Sequence, residues 1–128
     1  MDIGKLLDDK SKKSLEKRKE IEDALISGAI SVPEISRTIE TLDDKKTAIT
    51  LEALEAVSGR NPEIADIEWI RFAEKFINSK SNSLKRESSR IVGNIAHLFP
   101  DDLEKSIQML MENTTNDGTV VRWGSAYA

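Results

Sequence analysis

The chain has no cysteine, which excludes disulfides, thiolate nucleophiles and cysteine-ligated zinc or iron–sulfur centres. It has one histidine, His97, so no two-histidine metal motif can be built within it, and a lone histidine near a helix end reads as structural. Aromatic residues are only 5% of the sequence and β-branched runs are few. Leu, Ile, Ala, Glu, Lys and Ser dominate instead, a composition that favours helix over sheet. No apolar run approaches the roughly 18 residues a membrane span needs, and Met1 to Lys5 carry no charged segment leading into an apolar one. A cytoplasmic protein without a membrane role is expected. Glycine-rich phosphate loops, GxSxG and HExxH patterns are absent, and neither a cofactor nor an enzymatic activity is expected.

What the sequence does contain is charge and helical periodicity. Charged residues make up 33% and apolar residues 38% of its 128 residues. That balance fits a single domain with long solvated helix faces, able to bury roughly two-thirds of its unfolded surface. The net charge of −4 speaks against nucleic acid as a partner, because phosphate backbones select concentrated Lys and Arg.

Helix-period apolar stripes recur at a nearly fixed step. Ile35, Ile39 and Leu42 return as Trp69, Ala73 and Phe76, and again as Leu103, Ile107 and Leu110, 34 residues apart each time. Between these A helices lies a B set: Ile49, Ala53, Ala56 and Val57, then Leu84, Ser88, Ile91 and Val92, then Val120, Gly124, Tyr127 and Ala128. Each B stripe has i, i+4, i+7, i+8 spacing, which puts its members on one helical face. Its second member is always small, so neighbouring helices can approach closely. Ser31 with Glu34 around Pro33, and Asp101 with Glu104 after Pro100, suggest capping boxes at A-helix starts. Turn-rich segments at 59–62, 78–83 and 113–118 separate the helices. Upstream, residues 2–8 and 12–27 read as helices of an N-terminal cap spanning 1–30, with Leu15, Ile21, Ala24 and Leu25 on a narrow stripe.

At 117–128 the run Asp117-Gly118-Thr119-Val120-Val121-Arg122, continuing with small residues, resembles the second helix of a HEAT or armadillo-type repeat. The likeness covers about 31–128. It implies an all-α, right-handed α-α superhelix of about three HEAT-like hairpins, at 31–62, 63–99 and 100–128, whose B helices line the concave side. The step is shorter than the roughly 40–47 residues usual for HEAT repeats, and the tetratricopeptide pattern of comparable length is absent.

The one basic concentration is Lys80, Lys85, Arg86 and Arg90. Arg86 and Arg90 stand one turn apart on the second B helix, with Arg122 placed to extend the row, so a basic ladder on one face is geometrically reasonable. The competing reading is solvation or local ion pairing, to which charge runs usually belong; Asp117 is the nearby partner for Arg122. Trp123 falls beside its apolar stripe and makes either a binding anchor or a contact with a following helix. The carboxylate pairs Asp8-Asp9, Asp43-Asp44 and Asp101-Asp102 lie at helix boundaries, where they cap free N–H groups. The candidate binding residues are therefore Lys85, Arg86, Arg90, Arg122 and Trp123.

These features point to a non-enzymatic interaction module for a protein or peptide. The alternative that the resemblance offers is a nucleic-acid-binding protein like the HEAT-like DNA glycosylases for alkylated bases. The acidic net charge and the small number of repeats oppose it. The third B stripe is still apolar at Tyr127 and Ala128, so an open C-terminal end covered by further chain, a partner or a second copy is expected. Reversing Arg86 and Arg90 together to Glu is expected to leave the fold intact.

Overall fold

A computed structural model describes residues 2–40, 42–102, 104, 107 and 108. It is all-helical, with no strand among the described residues. The helices are α1 (Ile3–Asp8), α2 (Ser14–Ser27), α3 (Val32–Ile39), α4 (Asp44–Arg60), α5 (Ile67–Ile77) and α6 (Asn82–Ile95). Short 3-10 turns at Pro62–Ile64, Ala96–Leu98 and Pro100–Asp102 join or follow them.

Side-chain caps set the helix starts. The Asp2 carboxylate accepts from the Lys5 amide at 3.1 Å, Asp43 from Lys46 at 2.9 Å and Asp66 from Glu68 at 2.9 Å. The Ser81 hydroxyl accepts from Leu84 at 3.4 Å. Each satisfies an N–H that the first turn leaves open. Ser31 and Glu34 behave otherwise: the Ser31 hydroxyl donates to the Glu34 carboxylate at 3.2 Å and makes no side-chain bond to a backbone amide. Gly28 closes α2 at φ 82°, the left-handed region where a Cβ is strained.

The helices pack in two rows. α3 lies against α1 and α5; α4 lies against α2 and α6; α1 meets α2 and α5 meets α6 across the rows. The segment expected as a cap thus stands at the end of both rows. Most of the periodic residues are buried as anticipated: Ile35 and Ile39, Ile49, Ala53 and Val57, Trp69 and Ala73, Leu84, Ser88, Ile91 and Val92. Leu42, beyond the end of α3, and Phe76 are packed against this core but only partly covered. Leu15 departs from its expected place on the α2 stripe, being 64% exposed. Glu22 is buried on that helix beside Ile21, Ala24 and Leu25. Ile107 is helical yet 52% exposed.

Close packing of α4 and α6 puts hydroxyls in the core, and each finds a carbonyl one turn back. Thr47 donates to Asp43 at 2.9 Å, Thr50 to Lys46 at 3.1 Å, Ser58 to Glu55 at 2.9 Å, Ser88 to Leu84 at 2.7 Å and Ser89 to Lys85 at 2.8 Å. Such bonds remove the cost of burying an unpaired hydroxyl while keeping the side chain small.

Candidate functional site

The row α2–α4–α6 has a side turned away from the core, and helical spacing assigns residues to it. On α4 these are Glu52, Ala56 and Gly59, opposite the buried Thr50, Leu54 and Val57. On α6 they are Arg86, Arg90 and Gly93, opposite Leu84, Ile91 and Ile95. On α2 they are Leu15, Lys19 and Ile26, of which Leu15 and Ile26 are exposed large apolar residues. The central helix therefore contributes two small positions, Ala56 and Gly59, beside Glu52 and between two bulkier borders.

Charged groups line the seams between these helices. Each helix places one glutamate there, Glu22, Glu55 and Glu87, at close to the repeat spacing. Glu22, buried, bonds Arg18 at 3.1 Å and also pairs with Arg60 of α4, joining the first two helices. Across the second seam the Asn94 amide donates to the Glu55 carbonyl at 3.3 Å and to the Ser58 hydroxyl at 3.0 Å. Glu87 is buried and accepts from the Arg86 guanidinium at 3.1 Å. Burial pushes the half-buried Glu55 carboxyl above its ordinary value, and the nearby Glu87 charge adds to this. Arg90, a hydrogen bond from Asn94 and Arg18 oppose it.

This arrangement places carboxylates beside the basic ladder. Arg86 is committed to Glu87, and Arg90 sits in the field of Glu55. The ladder is therefore a mixed-charge seam rather than a run of free cations. Lys85 is half-buried and lies about 100° round the helix from Arg86, off the same stripe. Arg122 and Trp123 lie outside the described residues. The glutamate ladder was missed at the sequence level, although its near-repeat spacing was there to be seen.

The other carboxylate pairs behave as boundary residues. Asp43 caps α4, Asp9 accepts from the Ser11 amide at 2.9 Å, and Asp8 pairs with Lys46, tying α1 to α4. Hydrogen bonding to Lys46 holds the Asp8 carboxyl below the usual carboxylate range. No cluster of metal-ligating side chains occurs among the described residues, and no helix there is long and apolar enough to cross a membrane. His97 is exposed in its 3-10 turn.

Glu55 yields a pH prediction. A carboxyl whose folded pKa is raised adds stability while protonated, and loses that contribution as pH rises through the folded value. Glu55→Gln removes the charge and is expected to raise Tm at neutral pH by no more than about 4 °C. The gain is expected to vanish below pH 4.5, the ordinary value of the group. Thermal melts from pH 3.5 to 8 check this; a neutral-pH loss in Glu55→Gln would show that the Arg90 and Asn94 contacts outweigh burial.

No family model matches this chain, and comparison with curated proteins and with solved structures returned no match.

Proposed function

We propose that this chain is a HEAT-like interaction module, its hairpins coiled into a right-handed superhelix, that binds a protein partner along the side of α2, α4 and α6. The observation that carries the reading is the composition of that side. Two small residues on α4, Ala56 and Gly59, lie beside Glu52 between borders bearing Leu15 and Ile26 on one side and Arg86 and Arg90 on the other. Such a pair admits close approach of a partner backbone, and the borders supply apolar and charged contacts of the kind interfaces use. Glu22 holds Arg18 and Arg60, and Glu87 holds Arg86, so part of the face is preorganised and less side-chain entropy is lost on binding. Solenoids suit this work because every added hairpin extends the surface without changing the fold.

The test is site-specific photo-crosslinking in cells, with the reactive group at Ala56 on this side and, as control, at the exposed Glu68 on α5. A discrete protein adduct from position 56 and none from 68 is expected. Replacing Arg86 and Arg90 with Gln should diminish it at least tenfold while the chain stays folded. The same protein, titrated with a labelled DNA duplex at low salt, is expected not to bind. Tight binding that weakens steeply with salt would transfer the reading to nucleic acid.

A further inference from the structure

A second feature lies away from the α2–α4–α6 side, at the corner where the α3–α4 connection meets α5 and α6. A cavity of about 300 Å³ opens there, walled by Leu42, Phe76 and Leu84 and rimmed by Glu40, Asp44 and Lys75. Its volume is at the lower end of the range that ligand sites occupy, enough for one large side chain. Leu84 is buried beneath it, while Leu42 and Phe76 are only partly covered by the core. Two large apolar groups therefore present surface to the same hollow.

The rim selects the neighbour of whatever fills it. Glu40 and Asp44 are exposed and belong to no ion pair among the described residues. Lys75, the remaining charge on the rim, is already engaged: its ammonium donates to the Ser36 hydroxyl on α3 and stands 6.0 Å from the Phe72 ring centroid. Two uncommitted carboxylates beside an apolar hollow complement a cation held next to an apolar body.

We infer that this corner is an anchor pocket for a peptide segment of a protein partner, taking one large aliphatic or aromatic side chain whose near neighbour in sequence is Lys or Arg. The inference rests on the interaction-module reading and adds to it a second contact point with stated chemistry. The pocket fixes the apolar residue, and Glu40 and Asp44 fix the basic one.

The experiment is selection from a displayed library of random heptapeptides on the immobilised full chain, followed by mapping the selected peptides on the isotope-labelled protein by NMR. Enrichment of a large apolar residue with Lys or Arg within two positions is expected, with shifts at Leu42, Thr47, Phe76 and Leu84. Asp44→Lys, a substitution at an exposed position, should turn the preference from basic to acidic neighbours by about tenfold. Peptides whose shifts fall only on the outward side of α2, α4 and α6, around Leu15, Ile26, Ala56, Arg86 and Arg90, would overturn the pocket and leave the module standing. An unchanged charge preference in Asp44→Lys would likewise overturn it. Selection of no peptide on any surface would overturn the pocket, while the crosslink from position 56 decides the module separately.

Discussion

Replacing Ile91 with Asp is expected to abolish cooperative unfolding, leaving a chain without a melting transition. Ile91 is 1% exposed in the middle of α6, the helix that packs against both α4 and α5. A carboxylate there has no room to reach solvent, and the stripe around it offers Leu84, Val92 and Ile95. Burying an unpaired charge costs several kcal/mol. The whole stability of a domain of this kind is about 5–15 kcal/mol. The Asp variant should therefore exceed about 4 kcal/mol of loss, where single substitutions become diagnostic of a core site. Ile91→Val, which removes one methylene from the same place, is expected to cost only about 0.5–1.5 kcal/mol. Circular dichroism and urea titration of both variants decide the matter. A native-like melt of Ile91→Asp would mean that the B stripe does not face the core.

The stripes were legible because a buried helix face needs apolar residues at fixed angular spacing, and the same spacing recurs when one hairpin packs on the next. Ile35 and Ile39, Trp69 and Ala73, and Leu84 and Ile91 follow from that requirement alone. Leu15 shows where it stops working. Six residues before Ile21, it lies about 120° away round the helix, near enough to be gathered into one stripe by eye and far enough to face solvent. The charges of α2 gave no help, since a helix packed against both α1 and α4 buries its edges too. Glu22 sits on such an edge because Arg60, 38 residues later, reaches it from α4. Pairing across that separation depends on which helices become neighbours in a row, and local periodicity does not encode it. The same holds for Asp8 with Lys46. The surroundings of the basic ladder were hidden for a related reason: Arg90 was visible as a cation, but Glu55, whose charge it meets, belongs to the neighbouring helix α4.

That pairing changes what charge reversal does. Arg86→Glu together with Arg90→Glu is expected to lower stability by about 2–3 kcal/mol, rather than leave the fold untouched as the sequence alone suggests. The Glu87 side chain is 6% exposed and its ion-pair partner is Arg86. Removing one member of a buried pair leaves the other charge in a poorly solvated place, a change worth 3–5 kcal/mol when both are fully buried. The Arg86 side chain is 35% exposed, so water can partly replace the lost contact and the cost falls below that range. The second reversal adds to it, because a carboxylate at position 90 faces Glu55, whose charge is already disfavoured by burial and by Glu87. Four carboxylates would then crowd one seam between α4 and α6. Arg86→Gln with Arg90→Gln keeps a hydrogen-bond donor on a shorter side chain without adding negative charge, and should cost about half as much. The two double variants separate stability from recognition. If the Glu pair loses both its melting temperature and its partner, while the Gln pair stays folded and still loses the partner, the arginines act in binding. A Glu pair as stable as the parent chain would show that Arg86 and Glu87 do not meet in solution. Raising salt supplies an independent check: screening should shrink the part of the Glu pair's deficit that comes from repulsion among the more exposed carboxylates.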